Sequence, residues 1–142
     1  IPSGIIIFNA KYQHGTITVD GDKWKQTGIG LRRWFGQDGV GNPTKEVEAY
    51  VKMMADYISK KVPDVEEVPI MPIIVFTNKA HEGVDFTASR LPAMQYKQLR
   101  GFLRRQRNQP KLASGYFEKL QAAFDEQAPF LADGEQAMET TG

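Results

Sequence analysis

No cysteine occurs anywhere in this chain. That excludes a disulfide framework and any thiolate metal site. Histidine is almost as scarce. His14 and His81 are the only two, too few for a histidine-rich zinc centre, and both stand beside turn residues, where surface positions are expected. No apolar run approaches the ~18 residues that mark a membrane span. No leading segment has the order of a secretory signal. The expectation is a cytoplasmic protein without membrane contact. An excess of one charge is also lacking: 18 basic residues face 17 acidic ones, a net of +1. The sum therefore does not decide on a polyanion partner, and local clustering must. The chain opens at Ile1 without a methionine, so it reads as a fragment or a processed chain.

What is present suits one soluble domain. In 142 residues, 41% are apolar and 25% charged, enough for a moderate core. Gly4 to Phe8 is a β-branched and aromatic run, read as a buried strand. Thr16 to Val19 alternates, Asp20-Gly21-Asp22 carries a hairpin signal, and Lys23 to Gln26 returns. Gly28 to Gly41 holds five glycines around Leu31-Arg32-Arg33-Trp34-Phe35, which reads as a long loop with a basic-aromatic centre. Asn42-Pro43 starts a helix that should run to about Lys61, with Val47, Tyr50, Val51, Met54 and Ile58 inward. Ile70 to Phe76 is a second strand, apolar enough to be buried on both faces. A short strand is expected around Val84-Asp85-Phe86. Ala93 to Gln106 reads as a helix with Leu99, Phe102 and Leu103 inward, and Tyr116 to Gln127 as another. From Asp133 the chain is polar and acidic, and fraying is expected. A strand, a hairpin, a helix and a strand predict an α/β fold: a strand–helix–strand crossover on a central mixed sheet with flanking helices.

The first strand breaks into Asn9-Ala10-Lys11. Residues two apart on a strand share a face, so Asn9 and Lys11 point the same way. Many metal-dependent nucleases place an acid and then a lysine at such a strand end, the acid to hold a divalent metal and the lysine to steady the attacking water or the phosphate. Here Asn9 stands at the acid position.

Gly4-Ile5-Ile6-Ile7-Phe8-Asn9-Ala10-Lys11, then Gly15-Thr16-Ile17, Gly21-Asp22-Lys23-Trp24, Gly41-Asn42-Pro43 and Pro72-Ile73-Ile74-Val75-Phe76-Thr77-Asn78 together resemble the nuclease-related domain, called NERD. The resemblance spans about Gly4 to Arg104. That family is grouped with the PD-(D/E)XK nucleases, so it implies a restriction-endonuclease-like core, here without its first elements. It also implies a magnesium-dependent phosphodiesterase acting on DNA or RNA, with Asn9, Lys11 and Glu46 at the catalytic positions and Asn9 and Glu46 on the metal. Two departures matter. The family's Glu-x-Lys reads Asn9-Ala10-Lys11 here, and its glutamine in the first turn after Asn-Pro is Glu46, as if the carboxylate had crossed from strand to helix. A further acid is expected on a strand upstream of Gly4. The alternative is a catalytically inactive module that keeps the fold and binds nucleic acid or protein. Glu46 also suits the positive end of its helix, worth ~0.3–1 kcal/mol, without any catalytic role.

Lys97, Arg100, Arg104, Arg105, Arg107 and Lys111 follow one another with no acid between them. Lys97, Arg100, Arg104 and Arg107 fall at helical spacing and form one stripe. The stripe and the Arg32-Arg33-Trp34 centre are candidate nucleic-acid contacts: cations for phosphates and an indole to stack on a splayed base. The plain alternative is a solvated helix face paired with acids between Asp125 and Glu139. The expected organisation is a nuclease-related domain over 1–107, a helical extension over 108–132 and an acidic tail over 133–142.

Overall fold

The computed structural model describes residues 1, 3–28, 39–65, 67–113 and 115–126. Among the described residues the element order is β1 (Ile5–Lys11), β2 (Thr16–Asp20), β3 (Lys23–Thr27), α1 (Pro43–Lys61), β4 (Ile70–Phe76), β5 (Ala93–Gln95), α2 (Tyr96–Gln106) and α3 (Tyr116–Asp125), with a 3-10 turn at Lys79–His81. The fold is α/β. β1, β4 and β5 form a parallel sheet in that order, and β2 and β3 form an antiparallel ribbon beside it. β1 and β4 pair from Ile5↔Ile70 to Lys11↔Phe76. α1 is the crossover between them, as parallel neighbours require.

The two faces of the sheet are covered differently. Ile7, Ile74, Phe76 and Ala93 pack with Val47 of α1 and with Ile17, Val19 and Trp24 of the ribbon. Further along the same face, Ile5 and Ile70 meet Ile58 of α1 and Leu120 of α3. The opposite face carries Ile6, Ile73, Val75 and Met94 against Leu99 and Phe102 of α2. Burying side chains of this size stabilises the fold by ~1.5–3 kcal/mol each. α2 packs on β4 and β5 and does not cover the far end of β1. Phe8, on that face of β1, is therefore 45% exposed.

α1 begins as its sequence dictates: Asn42 Oδ1 accepts from Lys45 N–H at 3.0 Å and Pro43 occupies the first turn. Trp24 Nε1 donates to buried Thr44 Oγ1 at 2.8 Å, tying the ribbon to that turn. Tyr50, expected inward, is exposed, because the sheet covers a narrower arc of α1 than the apolar spacing suggested.

Three local expectations are corrected. No strand forms at Val84–Phe86, where Asp85 Oδ1 caps a turn by accepting from Thr87 N–H at 2.8 Å. Ala93–Gln95, expected as the start of a helix, is a strand on β4, and the helix begins at Tyr96. His81, expected on the surface, is 1% exposed. Its Nε2 donates to the carbonyl of Gln13 at 2.8 Å, and Asn78 Nδ2 donates to the same oxygen at 2.8 Å. Together they fix the turn after β1.

Candidate functional site

Lys11, Phe76 and Gln95 end the three parallel strands in one row. This carboxyl edge is where open α/β sheets place their ligands. Ile5, Ile7, Asn9 and Lys11 alternate onto the face covered by α1. Asn9 is only 7% exposed, and its side chain reaches across to the first turn of the helix. Asn9 Nδ2 donates to Glu46 Oε2 at 2.9 Å and to the Pro43 carbonyl at 3.2 Å. Lys11 Nζ lies 2.6 Å from the same Glu46 Oε2. The structure thus brings Asn9, Lys11 and Glu46 together at the junction of β1 and α1.

The Lys11 side chain is 16% exposed and that of Glu46 35%, a half-covered ion pair. Burial pushes the Glu46 carboxyl up. The hydrogen bonds from Lys11 and Asn9 and the Lys11 charge outweigh it and hold the carboxyl below its ordinary 4.5. The loop before α1 also shapes the site. Gly41 has φ +64°, and a Cβ there would stand 3.1 Å from Glu46 Oε1. The left-handed backbone there favours glycine, and a larger residue would make the Glu46 carboxylate give way slightly. Gln26 holds this loop's return by accepting from Val40 N–H at 2.7 Å while its Nε2 donates to the His14 carbonyl at 2.7 Å.

Magnesium prefers several oxygen donors, carboxylates above all. The residues present do not fit it. Among the described residues Glu46 is the single carboxylate of the cluster, and Asn9 turns its nitrogen to the shared oxygen. Among the described residues no three of histidine, aspartate and glutamate gather in a way that could hold a metal ion.

The basic stripe lies elsewhere. α2 packs on the sheet face opposite Asn9 and Lys11. Lys97 leaves the stripe to pair with Glu82 at 2.8 Å, and that hydrogen bond holds its ammonium pKa above the ordinary value. Arg105 sits over the Phe102 ring at 6.0 Å. Arg100, Arg104 and Arg107 line an open groove of about 450 Å³ with Tyr96, Leu99 and Leu103. Leu103, expected inward, thus faces this groove. No carboxylate pairs with these three arginines among the described residues. The groove runs away from Lys11, since Leu103 and Arg107 also line a second cavity with Ile1 and Ser3 at the start of β1. Arg32, Arg33 and Trp34 lie outside the described residues. Tyr96 is a groove residue that the charge pattern alone misses. Its spacing of four to Arg100 and eight to Arg104 is the signal that finds it.

No helix among the described residues is long and apolar enough to cross a membrane. A family model described as "Nuclease-related domain" matches residues 1–77 of the 142. No curated protein and no solved structure matches the chain.

Proposed function

Since this chain belongs to the nuclease-related domain family, we propose that it is a nucleic-acid-binding module of that family, holding DNA or RNA through the exposed face of α2. The observation that carries this reading is the groove in which Arg100, Arg104 and Arg107 stand on one helix face without an acid partner among the described residues. Three guanidinium groups at this spacing neutralise phosphates without reading bases. Tyr96 at the head of the groove, 41% exposed, offers a ring on which an unpaired base stacks. Lys97 contributes once its pairing with Glu82 is given up, and Arg32, Arg33 and Trp34, which lie outside the described residues, are proposed as separate contacts. The domain then runs to Arg107, and the helix α3 beyond it is an extension docked on α1 through Tyr57, whose hydroxyl donates to the Ala123 carbonyl at 3.0 Å.

A labelled oligonucleotide titrated at rising salt tests this reading. Affinity is expected to fall steeply with salt, and Arg100→Ala or Arg104→Ala to reduce the slope by about one phosphate each. Absent binding at low salt, or binding indifferent to salt, contradicts it.

A second reading, a magnesium-dependent phosphodiesterase with its carboxylate moved to the helix, is favoured by one observation: Asn9, Lys11 and Glu46 converge. The donor set argues against it. Cleavage of DNA or RNA with magnesium or manganese, abolished by Glu46→Gln, is the result that establishes it.

A further inference from the structure

We propose that the Lys11 ammonium, held on the carboxylate of Glu46, supplies in this chain the positive charge that a divalent cation would otherwise bring, making Asn9, Lys11 and Glu46 a clamp that needs no metal. The inference does not rest on nucleic-acid binding by α2.

Three features close the clamp. Glu46 Oε2 is taken twice, by Lys11 Nζ at 2.6 Å and by Asn9 Nδ2 at 2.9 Å. With the ammonium in place, the Asn9 amide turns its nitrogen inward. Its nitrogen faces two oxygens, Glu46 Oε2 and the Pro43 carbonyl at 3.2 Å, and both of these only accept. A flipped amide would set three acceptors against one another, and at 7% exposure water is poorly placed to intervene. The other carboxylate oxygen, Oε1, is backed by the Gly41 backbone, where even a methyl group would approach to 3.1 Å.

A metal entering here would have to expel the ammonium and would meet, among the described residues, one carboxylate, with only neutral carbonyl oxygens such as that of Pro43 beside it. Hard divalent cations bind well only to several charged or strongly polar oxygens. The ammonium needs no such set. It carries its own positive charge, is already covered by the fold, and makes a charge-assisted hydrogen bond in place of a coordination bond. The clamp joins the end of β1 to the first turn of α1 whatever ions are in solution.

The test is manganese broadening in the NMR spectrum of isotope-labelled protein, read at the Asn9 side-chain amide, with no nucleic acid present. For the unchanged chain, millimolar manganese leaves the Asn9 Nδ2 signals sharp and magnesium leaves the melting temperature unmoved. Asn9→Asp sets a second carboxylate of the same shape beside Glu46. That variant should gain saturable manganese broadening at the Lys11 and Glu46 backbone amides, and magnesium should raise its melting temperature. Saturable broadening at Asn9 in the unchanged chain overturns the proposal, a result that needs no variant to fold. Lys11→Met added to Asn9→Asp removes the ammonium while keeping both carboxylates, and a folded double variant that takes up no more manganese than the parent overturns the proposal too.

Discussion

Glu46 concentrates the chemistry of the β1–α1 junction in one side chain. Removing its charge leaves Lys11 largely covered and unpaired. Exposed pairs are worth ~0–1 kcal/mol and breaking a fully buried one costs ~3–5 kcal/mol, so for this half-covered pair Glu46→Gln should cost about 1–2 kcal/mol in denaturant unfolding. The pH dependence has a definite sign. The folded carboxyl titrates below its ordinary 4.5, so the pair contributes in full above that value and is lost as pH falls through the lower folded value. The difference between Glu46→Gln and the parent should therefore shrink on acidification below about pH 4.5 and stay flat above it. Gly41→Ala should cost about 1–2 kcal/mol through its left-handed backbone alone and more as its methyl presses on Glu46 Oε1. A melt unchanged from the parent contradicts the close approach. At this scale Asn9, Lys11 and Glu46 were legible as separate marks: a strand end, a lysine two residues on, and an acid in a capped first turn. Their shared oxygen was not legible. Asn9 and Glu46 are 37 residues apart, and only the crossover sets their distance.

Elements show where local pattern and tertiary pairing disagree. Gly4 enters β1 at φ +150°, and a Cβ there would lie 2.4 Å from the Pro69 carbonyl oxygen, the acceptor of the Ile5 N–H. Gly4→Ala should destabilise more than Gly41→Ala, because the contact is with backbone that also carries the first rung between β1 and β4. Thermal melts of the two variants side by side check the order. Trp24→Phe keeps most of the packing on Phe76 and Phe86 but removes the donor to Thr44. The loss of that bond should cost about 1 kcal/mol, with a further share if Thr44 Oγ1 is left unsatisfied. The strands β1 and β4 and the helix α1 were legible because apolar runs, a capped start and a helical period agree with the final fold. β5 was not. Ala93 and Met94 favour helix by intrinsic preference, and pairing with β4 overrides it. His81 misled for a related reason: a polar residue beside turns reads as exposed unless its partner, the Gln13 carbonyl, is known.

Across the whole molecule, the β1–α1 clamp and the arginine groove occupy opposite faces of one three-stranded sheet. That division was hidden in the sequence, where both appear as charged residues near apolar runs. The alternation of β1 and the side on which α2 packs settle it. On the proposed reading, a nucleic acid along Arg100, Arg104 and Arg107 lies on the sheet face opposite Lys11. Mapping of backbone amide shifts in isotope-labelled protein during titration with short single-stranded DNA at low salt tests this most directly. Shifts concentrated on Tyr96 to Arg107 and reversed by added salt are expected, with Asn9, Lys11 and Glu46 unmoved. Shifts centred on Asn9, Lys11 and Glu46 with α2 silent, or no shifts at any salt concentration, would contradict it.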